Sequence, residues 1–207
     1  MPGSGEGLRL LGVVHGARKR APLWETAEEP AEPADTLPYR GLAALVYPGP
    51  VRVERVDPVE VRAHHERLDA VLRRGTVLPA PFGVAFRGEK EVVRFLRTRY
   101  VELGDALALL EGRWEMRLHA VPTAPELPEA TAADVATTVY AELRKLSHAA
   151  LPLPRVESKA FSAGFLVERL ETRQFLDRVE ELDAAHPELE LDATGPWPAY
   201  DFVALLP

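Results

Sequence analysis

The sequence predicts an α+β protein made of two domains. Two observations support this prediction: a helix that runs through a glycine into an apolar strand at residues 57–86, and alternating strand and helix patterns from Trp114 onward. A chain of 207 residues is long enough for two domains of ordinary size. We place an N-terminal α+β layer domain at residues 1–112 and a second domain at residues 113–207.

The first half of the N-terminal domain is predicted to contain two paired strands. Residues 8–15 are a predominantly apolar run, which is typical of a central strand, and residues 39–47 form a second strand. Residues 16–38 are polar and contain prolines, so we expect a long exposed loop; an acidic arm or lid for a basic partner is the alternative. Residues 51–56 alternate apolar and charged side chains, which favours one further short strand.

The helix that follows has clear start and stop signals. Asp57 is expected to accept from the amide of residue 60, and Pro58 suits the first helical position. Gly75 is expected to end the helix in a left-handed conformation. Apolar residues recur at spacings of three, four and seven and predict one buried stripe: Val61, Leu68, Val71 and Leu72.

The residues after Gly75 read TVLPAPFGVAF and are too apolar for a surface loop. Pro79 and Pro81 have no amide hydrogen to donate to a sheet, so we predict an edge strand or a strand with an irregular start. Because the stretch has no charge, it is also a candidate partner-binding surface. We assign six side chains of this strand to that surface: Thr76, Val77, Leu78, Phe82, Val84 and Phe86.

A long helix completes the N-terminal domain. Residues 89–111 form the longest periodic segment, and Gly112 closes it. Gly104 lies inside this segment, where we expect a kink or close helix packing.

From residue 113 onward the predicted order is strand, helix, strand, strand, helix, strand. Residues 113–121 alternate apolar and polar side chains, and the proline-rich residues 121–131 form a semi-rigid linker. The helices are placed at residues 132–149 and 171–185, and the remaining strands at residues 156–158, 160–169 and 189–193. This βαββαβ order is that of a ferredoxin-like domain.

The composition excludes several classes of protein. A net charge of -7 argues against a nucleic-acid partner, because binding phosphates needs clustered Lys and Arg. The absence of cysteine excludes disulfides and thiolate metal sites. No apolar run approaches the roughly 20 residues that span a bilayer, and no signal peptide is visible. We therefore expect a cytoplasmic protein with no membrane partner.

No residue pattern predicts catalysis. The six histidines share no local spacing typical of metal ligands, and no nucleophile elbow surrounds Ser147 and His148. Glu180, Glu181 and Asp183 lie on an amphipathic helix, and we interpret them as its solvated face. We expect no enzymatic activity, cofactor or metal.

The adjacent histidines of the first helix are likewise not interpreted as a metal or catalytic site. Adjacent residues such as His64 and His65 point about 100° apart on a helix, so they cannot bind one metal ion together. We interpret His64 as a structural histidine whose ring nitrogens are satisfied.

Several blocks of this sequence resemble the gas vesicle protein GvpL/GvpF family. The blocks are the helix with His64, GTVLP at residues 75–79, Phe82-Gly83, Tyr39-Arg40-Gly41, the Trp114 strand, and GPWPAYDF at residues 195–202. The resemblance covers roughly residues 8–203. It departs from the family at Pro81, where an arginine is expected. The family implies an α+β N-terminal domain and a ferredoxin-like C-terminal domain.

The resemblance also implies a function. It indicates an accessory or minor structural protein that binds the small shell protein GvpA, and other Gvp proteins, during gas vesicle assembly. A shell subunit apolar enough to face gas is an aggregation hazard before assembly, and a binding partner can shield it. The strand at residues 76–86 is the surface that we predict for this role.

A second candidate surface is formed by Trp197 and Tyr200, which flanking prolines hold rigidly. Rigid aromatic side chains are favoured anchors at interfaces, whereas the alternative is that both residues pin the tail across the core. Two alternative functions remain: a haem- or small-molecule-binding enzyme or sensor, with His64, His119 or His148 facing a cavity, and a self-assembling scaffold.

Overall fold

The computed structural model describes residues 5–16, 35–52, 55–154 and 160–203. These residues form two compact units, each with one antiparallel sheet and its own helices, which confirms the α+β class. One unit contains the chain up to Glu111 together with the tail from Tyr200, and the other is residues 112–199. The tail therefore belongs to the N-terminal unit, whereas the sequence placed it in the second domain.

The N-terminal sheet is built around a central strand, β1 (Glu6–His15). On one side β1 pairs with β3 (Leu42–Pro50), which pairs in turn with β2 (Asp35–Tyr39). On its other side β1 pairs with two short strands, β4 (Leu78–Pro79) and β5 (Ala85–Phe86). Residues 9–14 of β1 are all buried, as expected for a predominantly apolar run, and the charged Arg9 is buried with them.

Residues 39–47 are part of a hairpin, whereas the sequence predicted one strand. Arg40 and Gly41 form the turn between β2 and β3, and Arg40 has a positive φ of 53°. Residues 35–38 belong to β2 although a loop was expected there, because Leu37 is buried opposite Ala44. Residues 17–34 of the predicted loop and residues 53–54 of the predicted strand lie outside the described residues. Residues 51–52 and 55–56 form no strand.

Among the described residues, three helices complete the N-terminal unit: α1 (Pro58–Arg74), α2 (Glu89–Thr98) and α3 (Tyr100–Leu110). Asp57 caps α1, although it accepts from the amide of Val59 (2.8 Å) and not from residue 60. Gly75 is extended, with φ of 179°, so the expected left-handed conformation is wrong. The helix predicted at residues 89–111 is interrupted at Arg99 and not at Gly104.

Gly104 lies inside α3 with open space at its Cβ position. No atom lies within 4 Å of a Cβ added there. Because alanine is favoured over glycine in a helix interior, Gly104→Ala is expected to raise the free energy of unfolding by about 1 kcal/mol. Urea denaturation of both proteins measures this difference, and a variant no more stable than the wild type would contradict it.

The C-terminal unit has the strand order of a ferredoxin-like domain. Its elements are β6 (Arg113–Pro122), α4 (Glu129–Arg144), β7 (Ala149–Pro152), β8 (Phe161–Glu168), α5 (Thr172–Ala185) and β9 (Leu189–Trp197). The antiparallel sheet has the order β7-β8-β6-β9, so the first and third strands of the βαββαβ unit lie at its centre. The ferredoxin-like prediction is confirmed.

The second strand of this unit differs in position from the sequence prediction. Residues 156–158, where it was expected, lie outside the described residues. Strand β7 is formed by Ala149–Pro152, which were expected to end the preceding helix. Helix α4 accordingly ends at Arg144, and residues 123–128 connect β6 to α4 within this unit.

Each unit has a hydrophobic core of its own. In the N-terminal unit the buried cluster includes Leu11, Leu45, Leu68 and Val77, and Tyr200 packs against it. In the C-terminal unit Phe165 and Phe175 are fully buried between the sheet and its helices. Within the described ranges no helix has the length and hydrophobicity to cross a bilayer.

Candidate functional site

The strand predicted at residues 76–86, called the edge segment below, lies at the border of the N-terminal sheet. Its two ends pair with β1 as β4 and β5, and a turn at Phe82 and Gly83 separates them. Gly83 has a positive φ of 99°, which this turn requires. Among the described strands none lies beyond the edge segment, so the edge-strand prediction is confirmed.

The two prolines of the edge segment occupy positions where an amide is not needed. Ala80 donates its amide to Leu11 O (3.0 Å). Because backbone groups alternate in direction along a strand, Pro79 and Pro81 face away from β1. The border of the sheet therefore has no amide donor at either position.

The six side chains assigned to the edge segment differ in exposure. Val77 and Leu78 are 2% and 1% exposed, so they belong to the core and not to a contact surface. The other four are partly exposed: Thr76, Phe82, Val84 and Phe86. The apolar surface that a partner can reach is therefore the turn and the strand that follows it.

Phe82 is held in place by two side chains from the sheet and the first helix. The guanidinium of Arg9 lies 4.8 Å from the centroid of its ring, at a distance typical of cation–π contact. The ring of His64 packs edge-on against it, with the centroids 5.7 Å apart. Arg9 itself is buried and pairs with Glu60 (3.3 Å).

A buried polar network centred on His64 fixes the edge segment to α1. The Nε2 atom of His64 is 2.9 Å from Ala80 O, and its Nδ1 atom is 2.9 Å from the hydroxyl of Tyr47. A carbonyl oxygen only accepts, so Nε2 carries the hydrogen, and in the neutral ring Nδ1 accepts from Tyr47. The interpretation of His64 as a satisfied structural histidine is confirmed.

The surroundings of His64 favour the neutral imidazole. Burial lowers the pKa of His64 from 6.5 to about 4; the nearby His65, Arg67 and Arg9 act in the same direction, and the bond to Ala80 opposes them. Burial also raises the pKa of Tyr47. With both ring nitrogens engaged, His64 has no free lone pair for a metal or a haem iron.

Tyr200 reaches the same carbonyl from the C-terminal tail. Its hydroxyl donates to Ala80 O at 3.4 Å, and its ring packs edge-on against that of His65 at 6.1 Å. Burial raises the pKa of Tyr200 well above its usual value of 10. These contacts agree with the alternative in which Tyr200 pins the tail.

Trp197 has different surroundings, on β9 in the C-terminal unit. The residue is 41% exposed, and its indole N–H donates to Thr194 Oγ1 (3.0 Å). Gly195 has a φ of 138°, and a Cβ there would lie 2.8 Å from Met116 Sδ, so glycine is required before this ring. Because Tyr200 belongs to the N-terminal unit and Trp197 to the C-terminal unit, the predicted aromatic pair divides into two separate features.

The role of Asp183 is one that the sequence analysis missed. Asp183 was interpreted as solvated, but its Oδ1 accepts from the backbone amide of Leu191 on β9 (2.8 Å). It lies in the last turn of α5, where the helix dipole disfavours a negative charge. That unfavourable position is the sequence signal that could have pointed to a specific contact.

The other candidate histidines have ordinary surroundings. His119 is partly buried, with Nδ1 2.9 Å from Ser162 Oγ, and His148 is exposed. Within the part of the chain that the structure describes, no three histidine, aspartate or glutamate side chains are grouped as metal ligands.

Comparison with known proteins connects this architecture to a family. The family profile for gas vesicle synthesis protein GvpL/GvpF matches residues 10–134 and 126–204. Gas vesicle protein F2 of Halobacterium salinarum is 33% identical over 184 residues, which cover 82% of this chain and 80% of that protein. Gas vesicle protein F1 of the same organism is 28% identical over 187 residues, covering 84% and 82%.

Two solved structures share the fold. GvpF from Anabaena sp. superposes with a TM-score of 0.81 at 16% identity, covering 96% of this chain and 98% of that chain. GvpF from Microcystis aeruginosa gives a TM-score of 0.78 at 16% identity, covering 95% and 98%. The resemblance seen in the sequence is thus confirmed by a profile match over nearly the whole chain, and the chain belongs to the GvpL/GvpF family of gas vesicle proteins.

Proposed function

We propose that this protein binds the small shell protein GvpA in the cytoplasm and supports gas vesicle assembly. The observation that carries the proposal is the edge segment, a border of the N-terminal sheet with partly exposed apolar side chains and no charge from residue 76 to residue 86. An ordered apolar border of this kind suits the apolar surface of an unassembled shell subunit. Family membership supports a role in gas vesicles and extends the proposal to other Gvp proteins as partners.

The backbone of the edge segment supports side-chain contact more than strand addition. Adding a strand requires outward amides at alternate positions, and Pro79 and Pro81 have none. Directly after the segment, the amide of Arg87 already donates to Glu91 Oε2 (2.9 Å). We therefore assign the contact to the apolar side chains of the turn and β5, with exposed Trp197 as a second candidate anchor.

Co-expression with tagged shell protein tests this proposal. Wild-type protein is expected to form a soluble complex that size-exclusion chromatography with light scattering detects. Phe82→Asp is expected to abolish the complex, because it puts a carboxylate in the middle of the apolar surface. Val101→Asp is the matched control, since it adds the same charge at a residue of α3 that is 70% exposed.

Folding of each variant is verified by thermal melting, because Phe82 also contacts His64 and Arg9. A folded Phe82→Asp protein that still captures the shell protein would exclude the edge segment as the contact, and Trp197→Ala would be tested next. If the wild-type protein never co-elutes and the shell protein aggregates unchanged, the proposed function itself is wrong.

A further inference from the structure

The C-terminal sheet ends in a long edge strand. Strand β9 has nine residues and pairs with β6 on one side, and none of the described strands lies on its other side. A long edge presents backbone amides that can pair with another chain. The opposite edge, β7, has four residues and ends at Pro152, which has no amide hydrogen. Of the two edges, β9 therefore has more need of protection.

The register shows which amides of β9 face outward. Thr123 donates to Glu188 O (3.1 Å), and the same register continues along the pair of strands. Antiparallel partners exchange backbone hydrogen bonds at alternate residues. The amides of Leu189, Leu191 and Ala193 therefore face away from β6.

Two of these three amides already have an acceptor within the unit. Leu189 donates to His186 O (3.1 Å), and Leu191 donates to Asp183 Oδ1 (2.8 Å). The first acceptor belongs to the turn before β9, whereas the second is a side chain placed against the dipole of α5. The bond to Leu191 accounts for a carboxylate at this unfavourable position.

The negative charges on β9 also disfavour pairing of this strand with another chain. Glu190 and Asp192 are both exposed. If the β9 strands of two copies paired antiparallel about Leu191, Glu190 of each copy would lie opposite Asp192 of the other. Like charges directly opposite each other on neighbouring strands are unfavourable.

We propose that Asp183 prevents the β9 edge from pairing with a second copy of this chain. Its carboxylate accepts the hydrogen of the Leu191 amide, which lies at the centre of the outward face. A second strand therefore cannot accept from this amide to form the central pair of backbone hydrogen bonds. Glu190 and Asp192 add repulsion to that lost bonding, and the two effects keep the sheets of separate molecules apart.

Reversing one charge separates the effect of the hydrogen bond between Asp183 and the Leu191 amide from the effect of charge repulsion. Glu190→Lys turns the repulsive cross-strand pair into an attractive one, yet Asp183 still occupies the Leu191 amide, so we expect the oligomeric state of the wild type. Asp183→Ala combined with Glu190→Lys is expected to self-associate about tenfold more tightly, because each copy gains an interchain bond at Leu191. Sedimentation velocity of the full chain over a concentration series measures the association.

Asp183→Asn combined with Glu190→Lys is the matched control. It removes the same charge as the alanine variant but keeps a side-chain oxygen that accepts from Leu191, so it is expected to behave like Glu190→Lys alone. Hydrogen exchange at the Leu191 amide is the second readout, and it is expected to be faster in the alanine variant than in the asparagine variant.

Each remaining outcome overturns the proposal. Equal self-association of all three Glu190→Lys proteins would show that the edge is open with Asp183 present. Absence of association in all of them would exclude β9 as a pairing surface, even where the Leu191 amide exchanges faster. Thermal melts of the four proteins establish that each one is folded.

Discussion

Gly12→Ala is expected to lower the free energy of unfolding by about 2–3 kcal/mol, the upper part of the range for overpacked cores. Gly12 is buried in the central strand of the N-terminal sheet. A Cβ added there would lie 2.7 Å from Leu78 O and 2.8 Å from Val77 Cγ2. The Leu78 oxygen belongs to backbone paired with Val13, so it cannot move away without disturbing the contact between β1 and β4.

Gly41→Ala is the matched control for this experiment. The same methyl group is added in the turn between β2 and β3 of the same sheet, but the nearest atom, the hydroxyl of Tyr100, is 3.9 Å away. We expect its stability to stay within about 0.5 kcal/mol of the wild type. Urea denaturation followed by circular dichroism measures both variants, and equal stability of the two would contradict the close approach at Gly12.

The stability of the protein is expected to fall as the pH drops from 6.5 towards 4, by up to about 3 kcal/mol through His64 alone. In the unfolded chain His64 takes up a proton near pH 6.5, whereas burial holds its folded-state pKa at about 4. Between these values the unfolded state binds more protons, so the free energy of unfolding decreases as the pH falls. Above pH 6.5 the contribution is fully present.

The hydrogen bonds of His64 explain why the folded state resists this proton. Nε2 already donates to Ala80 O, so a second hydrogen on Nδ1 would point at the hydroxyl that now donates to it. Tyr47 would have to turn its own hydrogen elsewhere. The cations Arg9 and Arg67 also disfavour a positive imidazole.

Equilibrium unfolding of the wild type and His64→Gln from pH 7 to pH 4 measures this contribution. The difference between the two curves isolates His64 from the carboxylates that titrate in the same range. His148→Gln removes an exposed histidine and is expected to follow the wild type closely. Parallel curves for the wild type and His64→Gln would disprove the buried neutral imidazole.

Apolar periodicity predicted most elements correctly because it is a local property of the chain. The stripe of α1 and the helix–strand order from Arg113 are set by spacing, and the strand order of the C-terminal sheet follows from them. Pro79 and Pro81 also predicted the border of the N-terminal sheet, since a missing amide is a local property as well.

Where the prediction was wrong, a partner distant in sequence decides the structure. Ala149–Pro152 has no alternating pattern and resembles the end of a helix, yet it becomes a strand because β8 supplies the pairing, with Leu151 opposite Gly164. The hairpin turn places Arg40 at a positive φ. Because non-glycine residues rarely adopt this conformation, the sequence did not indicate a turn there.

In the candidate site, too, the local sequence predicted some features, whereas others depend on residues distant in the chain. The sequence indicated that His64 is structural, but its partners are 17 residues before it and 16 residues after it. The side chains of Val77 and Leu78 looked available for binding because their own sequence does not show that Val77 packs with residues of α1 or that β4 contacts α3. The sequence indicates only a solvated helix face for Asp183, because its acceptor role depends on the register of β9.

The carbonyl of Ala80 connects the first helix, the tail and the border of the sheet, since both His64 and Tyr200 donate to it. Every amino acid has such a carbonyl, and the side chain of Ala80 is fully buried. Residue 80 is therefore constrained by volume and not by chemical type. During evolution, related proteins can exchange one small side chain for another at this position while the junction between tail and sheet is inherited unchanged.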